Sequence, residues 1–205
     1  MNTDDEGQTQ EFKALLEELR KQLLDASMYL DIWEQVWPTA QVVDVINLYK
    51  GFFQPTRKAL FDQFSIKICN VTGNDRRLPS FYKVFKMLDT NPSLAPQLDV
   101  NNLRERVKQH RAVLAAIVSY RNTRAAHWDT TNQVAEQKPV LFGDSKQMLK
   151  DLQHIYNEIC RAATREVWSF KLLEHGDTDS LLNHLKEWKI MHKKRNDELR
   201  SVTKY

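Results

Sequence analysis

The sequence predicts an all-α fold, a helical bundle of about four long helices plus short helices. The first observation behind this prediction is a shortage of turn formers: the 205 residues include 5 glycines and 6 prolines, where average usage gives roughly 14 and 10. Such a chain cannot supply the many hairpin turns of a β-sandwich or barrel. The second observation is that apolar residues recur at steps of three and four. Hydrophobic residues at 41% and charged residues at 28% exclude a disordered or fibrous chain.

The first three helices are delimited by glycine and proline. The first is predicted over Gln8–Trp37, where leucines recur at helical steps until a proline follows. Gly51 and Pro55 then indicate either two shorter helices or one kinked helix, because proline disfavours helical geometry in the residue before it. The second part of this region is Thr56–Val71. After a polar loop, a short helix is predicted over Ser80–Leu88.

Three further helices complete the chain, each after a loop. The first is capped by Asp99 or Asn101 and runs to about Trp128. The second is capped by Asp144 or Ser145 and runs to about Leu173. The third runs from Thr178 to about Thr203. We expect this organisation to give a flexible acidic N-terminus (1–7), a helical domain (8–173) and a basic C-terminal helix (174–205). The C-terminal helix is expected to pack on the domain or on a partner.

Composition and pattern predict a cytoplasmic protein without a membrane segment. The longest apolar run, Ala112 to Val118, has seven residues, against the ~20 that span a bilayer. The acidic start lacks the basic and apolar regions of a secretory signal. Cys69 and Cys160 stand alone, so we expect reduced, buried thiols, no disulfide and no structural metal. A glycine-rich phosphate loop is absent from the sequence, and no cofactor is expected.

The net charge of +3 conceals an uneven distribution of charged residues. Residues 1–36 hold nine acidic against three basic residues, whereas residues 101–127 hold six basic residues against one acidic residue. The last twenty residues hold seven basic and three acidic residues. Such clustering of basic residues is what an anionic partner requires.

The helix predicted to end near Trp128 carries cations where its apolar pattern expects core residues. Two adjacent stripes follow the helical period: Val113, Ile117, Tyr120, Arg124, His127, and Val107, Leu114, Val118, Arg121, Ala125, Trp128. Together they predict one broad buried face, with Arg121, Arg124 and His127 in its last two turns. Since burying an unpaired charge costs several kcal/mol, these side chains should meet an anionic ligand in a cleft or carboxylates of the first helix. Asp62 can also meet this cationic segment, although a surface carboxylate is the simpler interpretation.

The run Tyr120-Arg121-Asn122-Thr123-Arg124-Ala125-Ala126-His127 resembles the signature of the HEPN superfamily (higher eukaryotes and prokaryotes nucleotide-binding). That signature is an arginine, usually followed by a polar residue, and then a histidine near the end of a long helix. Here these residues are Arg121, Asn122 and His127, with five residues between the arginine and the histidine. The preceding helix, loop and short helix are similar to the abortive-infection AbiU-type branch. The resemblance covers roughly residues 8 to 173 and implies an up-down HEPN-like arrangement.

The resemblance implies metal-independent RNA cleavage in a homodimer, in a cleft where two protomers bring their motifs together across a two-fold axis. Arg121, Asn122 and His127 are then the catalytic residues. Imidazole, with a pKa near ~6.5, exchanges protons at neutral pH, which suits attack by a ribose 2′-hydroxyl on the adjacent phosphate. A guanidinium grips phosphate oxygens and stabilises charge in the transition state.

Further RNA contacts are predicted from spacing and charge. Arg124 lies three residues before His127 on the same helix face and is a candidate phosphate contact. In the terminal helix, Lys193, Lys194 and Arg195 crowd one region, where they can guide RNA to the cleft or dock on the partner protomer. A solvated helix is the alternative interpretation of this cluster.

We therefore expect an endoribonuclease, a hydrolase of the toxin or abortive-infection defence type, whose partners are RNA, a second copy of the chain and an antitoxin or regulatory protein. The alternative is a non-catalytic helical module of a defence or toxin–antitoxin system that binds RNA or protein through the same basic face. That module would bind RNA in a salt-sensitive way without cleaving it. A third interpretation is a partner-regulated subunit whose cleft is closed until released.

Overall fold

The architecture is entirely helical where the structure describes the chain. The computed structural model describes residues 3–75, 77–126, 140–171 and 176–202, with the backbone alone for residues 3–5, 124–126, 201 and 202. These ranges form eight α-helices, one 3₁₀ helix and no strand, which confirms the predicted all-α fold. The helices are α1 (Thr3–Gln35), α2 (Val43–Leu48), α3 (Lys50–Thr72), α4 (Phe81–Thr90), the 3₁₀ helix (Pro92–Leu94), α5 (Val100–Gln109), α6 (Arg111–Ala126), α7 (Phe142–Thr164) and α8 (Asp177–Val202). None of these helices is both long and apolar enough to cross a membrane.

The chain divides into two compact units, and the first comprises residues 1–28 and 62–170. Its core is formed by apolar side chains that α1, α3, α4 and α7 bury at helical spacing. Buried members of this core include Phe12, Leu19, Leu23, Phe64, Ile68, Phe81, Val84, Leu152, Ile155 and Ile159. Polar bonds at the edge of the core join the same helices. Gln153 Nε2 donates to Ser27 Oγ at 2.6 Å, and Lys67 Nζ lies 2.8 Å from Asp25 Oδ2.

The second unit comprises residues 29–61 and 171–205. Its core is a small apolar cluster to which the end of α1, α2, α3 and α8 contribute Val36, Val45, Ile46, Phe53 and Leu182. At the edge of this cluster, the rings of Tyr49 and Trp188 lie 6.5 Å apart. Lys189 Nζ lies 3.2 Å from Asp44 Oδ2. The first turns of α8 are therefore held by both apolar and polar contacts.

The helix predicted as one element up to Trp128 is two helices, α5 and α6, so this prediction is wrong. At His110 the backbone N–H donates to Val107 O at 3.2 Å, which interrupts the regular i→i−4 ladder before α6 begins at Arg111. The side chain of His110 makes a tertiary contact at the same place, with Nε2 3.0 Å from Asp151 Oδ2 of α7. A contact between residues far apart in sequence thus marks a break that local periodicity does not show.

The two predicted N-caps of the later long helices have different outcomes. Asp99 caps α5 as predicted, since its Oδ1 accepts from Asn102 N at 3.0 Å. At α7 neither Asp144 nor Ser145 is the cap, because the helix already begins at the residue after Leu141. Ser145 is buried, and its hydroxyl donates to Leu141 O at 3.1 Å. The prediction for α7 is therefore wrong by one turn.

The end of α7 also differs from the prediction, which extended the helix to about Leu173. The helix ends at Thr164 because Arg165 adopts a left-handed backbone conformation with φ 61°. The segment that follows is held by Asn157, whose side chain bonds both the backbone N–H and the carbonyl of Trp168 at 2.9 Å. Beyond Thr164, these bonds from the Asn157 side chain hold the backbone in place of regular i→i−4 helical hydrogen bonds.

The remaining helices lie close to their predicted positions. α1 begins earlier than the predicted Gln8 and ends at Gln35. Of the two alternatives around Gly51 and Pro55, the structure has two helices, but the break falls at Tyr49, and Pro55 lies inside α3. The terminal helix, α8, agrees with its predicted range to within one residue at each end.

Candidate functional site

The predicted catalytic arginine lies on the last turns of α6 and is exposed. The Arg121 guanidinium donates to Oδ1 of Asn122, at 3.0 Å from Nη2 and 3.3 Å from Nε. Because adjacent residues of a helix point about 100° apart, these bonds draw the Arg121 side chain toward Asn122. Arginine carries five N–H donors in all, so the guanidinium retains donors for an anion. The structure thus brings two of the three predicted catalytic residues into direct contact.

The apolar stripes of α6 do not form the broad buried face that the sequence predicts. Ile117 is buried, but Val118 is 38% exposed and Arg121 is exposed as well. Of the stripe that contains Arg121, only Val107 lies before the break at His110, whereas Leu114, Val118 and Arg121 share α6, and the neighbouring helices leave its Val118 and Arg121 positions uncovered in the single chain. The prediction that Arg121 occupies a core position is therefore wrong. Among the described side chains, no ion pair joins Arg121 to an acid of α1, so the alternative of pairing with the first helix is not seen.

Two side chains of α3 contact the end of α6 that carries the motif. Asp62 Oδ1 accepts a hydrogen bond from Tyr120 Oη at 2.7 Å in a partly buried setting. Cys69, two turns further along α3, lies close to Arg121. Burial raises the pKa of the Cys69 thiol, while the positive charge of Arg121 and a hydrogen bond from it oppose that rise. Asp62 therefore contacts the motif helix at Tyr120.

The two thiols agree with the sequence prediction. Cys69 and Cys160 are both free and buried. At Cys160 burial raises the pKa of the thiol, while a hydrogen bond with Tyr156 lowers it. Thiols with a raised pKa hold little thiolate at neutral pH and are poor nucleophiles. Neither cysteine is therefore suited to act as a catalytic nucleophile.

The structure does not describe the side chains of two predicted site residues, His127 and Arg124. His127 lies outside the described residues, as does the neighbouring Trp128. Arg124 is described by its backbone alone, within α6. Their expected roles, proton transfer for His127 and phosphate contact for Arg124, remain predictions from the sequence.

The basic cluster of the terminal helix is exposed in the single chain. Lys193, Lys194 and Arg195 lie within residues 191–200 of α8, every one of which is exposed. Just before them, the rings of Trp188 and His192 stack with centroids 4.8 Å apart and planes at 23°. Such exposure is compatible with a surface that binds RNA and equally with a solvated helix.

The polar contacts that surround the motif helix cannot be predicted from the sequence. Tyr120 belongs to an apolar stripe of the sequence, yet its hydroxyl donates to Asp62, 58 residues away. His110 likewise pairs with Asp151 of α7. No local pattern in the sequence predicts either pair. The stacking of Trp188 on His192 is predictable, because residues four apart on a helix lie on the same face.

Comparison with known proteins identifies one family. The family model of the AbiU2 HEPN proteins matches residues 9–184. This range contains Arg121, Asn122 and His127, and it extends into the first turns of α8. No curated protein and no solved structure matches the chain significantly. Among the described residues, no three His, Cys, Asp or Glu side chains are grouped so that they could hold a metal ion.

Proposed function

Because the chain belongs to the AbiU2 family of HEPN proteins, a family connected with abortive infection, we propose that it is a metal-independent endoribonuclease acting in defence or as a toxin. The observation that carries this proposal is the exposed guanidinium of Arg121, held by Asn122 at the end of α6. A fixed, solvent-facing guanidinium is suited to grip a phosphodiester from solution.

In the proposed reaction the ribose 2′-oxygen attacks the adjacent phosphorus and the 5′-oxygen of the next nucleotide leaves. His127 of one protomer takes the proton of the 2′-hydroxyl, and the protonated His127 of the other supplies one to the leaving 5′-oxygen, so the two proton transfers balance. Arg121 donates hydrogen bonds to the phosphate oxygens on which negative charge develops. The products are a 2′,3′-cyclic phosphate and a 5′-hydroxyl, so no external reactant is consumed in this step.

The catalytic cleft is proposed to lie between two copies of the chain. Arg121 and His127 are six residues apart, which on one helix places them about 120° apart around its axis. Two facing motifs ease this constraint, because the histidine of one protomer can act beside the arginine of the other. The exposure of Arg121 in the single chain leaves it accessible to such a partner.

RNA is proposed to be held by further cations. Arg124 is one turn before His127, and Lys193, Lys194 and Arg195 form the exposed cluster on α8. Each phosphate contact of this kind adds affinity that falls with salt and is largely independent of base sequence. An antitoxin or another regulatory protein would act by covering the cleft until cleavage is required.

A cleavage assay in a chelator tests this proposal. The purified full chain is incubated with mixed-sequence single-stranded RNA in EDTA, and the ends of the products are determined. We expect 2′,3′-cyclic phosphate ends, and we expect an oligonucleotide with a single 2′-deoxyribose at the mapped cut to resist cleavage there. Salt-sensitive binding without any cleavage would instead support the non-catalytic module. Equal cleavage of the 2′-deoxy substrate would contradict attack by the 2′-oxygen.

A further inference from the structure

A well-formed hydrogen bond joins α3 to the end of α6 that carries the motif. Tyr120 Oη donates to Asp62 Oδ1 at 2.7 Å, and both side chains are partly buried. Bonds from a hydroxyl to a carboxylate are among the stronger hydrogen bonds of proteins, and partial burial limits competition from water. Tyr120 immediately precedes Arg121, so this bond acts on the turn of α6 that presents the guanidinium.

The acceptor stands on a rigid element. The residues of α3 that follow Asp62 include Phe64, Ile68 and Val71, each 0% exposed. Lys67 ties the same helix to α1, with its Nζ 2.8 Å from Asp25 Oδ2. A functional side chain is placed most precisely when its support is locked by core packing and by further bonds. α3 meets both conditions.

A second contact between the same helices lies beside the first. Cys69 is seven residues after Asp62, which puts the two residues on one face of α3. That face also meets Arg121, whose charge and hydrogen bond act on the Cys69 thiol. The geometry that ties this end of α6 to α3 is the hydrogen bond from Tyr120 to Asp62.

We propose that Asp62 and Tyr120 are positioning residues, which fix the last turns of α6 so that Arg121 is aimed into the cleavage cleft. This inference rests on the proposed ribonuclease function. Neither residue touches RNA or exchanges a proton with it. Their contribution is to preorganisation, since misplacing a catalytic group by about 1 Å can cost on the order of 100-fold in rate.

The test compares Asp62→Ala, Tyr120→Phe and the rescue variant Asp62→Asn, whose amide oxygen can still accept from Tyr120. We expect kcat to fall about 10- to 100-fold in Asp62→Ala and Tyr120→Phe, with KM for RNA changed less than about two-fold. Asp62→Asn should keep most of the activity. The double variant should be no slower than the slower single variant, because each single variant already removes the bond between Tyr120 and Asp62. Tyr82→Phe, at a tyrosine 49% exposed on α4, is the matched control.

Amide hydrogen exchange provides a readout that does not depend on cleavage. We expect faster exchange at residues 120–126 in Asp62→Ala and Tyr120→Phe, and wild-type exchange there in Asp62→Asn and Tyr82→Phe. Unchanged exchange in this segment, multiplicative losses of kcat in the double variant, or no rescue by Asp62→Asn would each overturn the inference. A wild-type protein that does not cleave RNA would refute the proposed function. In that case the exchange data still decide whether Asp62 fixes this end of α6.

Discussion

The guanidinium of Arg121 and the side-chain oxygen of Asn122 are joined by hydrogen bonds of 3.0 and 3.3 Å, although the two residues are neighbours on one exposed helix surface. A long side chain on a surface usually samples several rotamers, and holding it in one costs conformational entropy. The bonds to Asn122 offset part of that cost. The polar residue after the arginine thus restrains the Arg121 side chain.

Replacing Asn122 by alanine should slow RNA cleavage about 10-fold, because Arg121 then loses the partner that orients it. The stability of the fold should not change, since Asn122 is exposed. The measurement is kcat/KM together with the melting temperature. Asn101→Ala is the matched control: it removes an equivalent bond, in which Arg104 Nη1 donates to Asn101 Oδ1 at 3.1 Å on α5. Equal kcat/KM in the two variants would refute the orienting role.

Reversing charge on the exposed part of α8 should weaken RNA binding. In a Lys193→Glu, Lys194→Glu, Arg195→Glu triple variant, the slope of log K against log salt should become less steep by about 2, since about 0.7 counterions are released per phosphate contact on single strands. A triple variant with the same change of net charge at the exposed residues Lys58, Lys86 and Lys150 is the control. Titrations of labelled RNA at several salt concentrations measure the slopes. If both variants change the slope equally, α8 does not bind RNA and is a solvated helix.

Stability should fall at alkaline pH through Tyr156, which is 1% exposed in the core of the first unit. Burial raises the pKa of Tyr156 far above the ordinary phenol value, so the neutral phenol favours folding below about pH 10. As pH rises above about 10, the Tyr156 phenol ionises first in the unfolded chain, because its pKa is lower there than in the fold. The free energy of unfolding should then decline by up to about 1.4 kcal/mol per pH unit for this group.

The variant Tyr156→Phe isolates this contribution. At neutral pH it should be less stable than the wild type by about 1 kcal/mol, through loss of the hydrogen bond with Cys160. The difference should shrink as pH rises above about 10, because phenylalanine has no proton to lose. Urea unfolding at pH 7 to 11 gives the two curves. Parallel curves over this range would contradict the assignment.

Leu182 should be the main anchor of α8. It is 1% exposed and packs in the cluster formed by Val36, Val45 and Phe53. Leu182→Ala should destabilise the fold by roughly 2–5 kcal/mol, the usual cost of a buried leucine. Leu199→Ala, at a leucine of the same helix that is 57% exposed, should change stability by less than about 0.5 kcal/mol. Denaturant unfolding compares them, and similar losses in both variants would show that α8 is not held through Leu182.

The helices themselves could be predicted from the sequence because leucine spacing and the rare prolines and glycines are local signals. The breaks at His110 and Arg165 could not be predicted this way. His110 makes its side-chain contact with Asp151, on a different helix, and Arg165 ends α7 with a left-handed backbone that arginine seldom adopts. Both depend on contacts or conformations that no periodic pattern encodes.

The candidate site likewise has features that local sequence predicts and features that depend on tertiary packing. Arg121, Asn122 and His127 could be selected from the sequence because they form a short motif near a helix end. The exposure of Arg121 could not be predicted, since the apolar residues in its stripe on α6 indicate burial, and coverage by neighbouring helices is not a local signal. The contact between Tyr120 and Asp62 spans 58 residues of sequence, and it required the packing of α3 beside α6.

The rate of RNA cleavage in EDTA by the His127→Ala variant tests the central claim most directly. We expect a loss of about 100-fold or more relative to the wild type, the usual contribution of a general acid or base, and a loss of similar size in Arg121→Ala, where a charge-stabilising donor is removed. His154→Ala and Arg111→Ala, at exposed residues of α7 and α6, should cleave at the wild-type rate. Wild-type cleavage by His127→Ala would contradict the account.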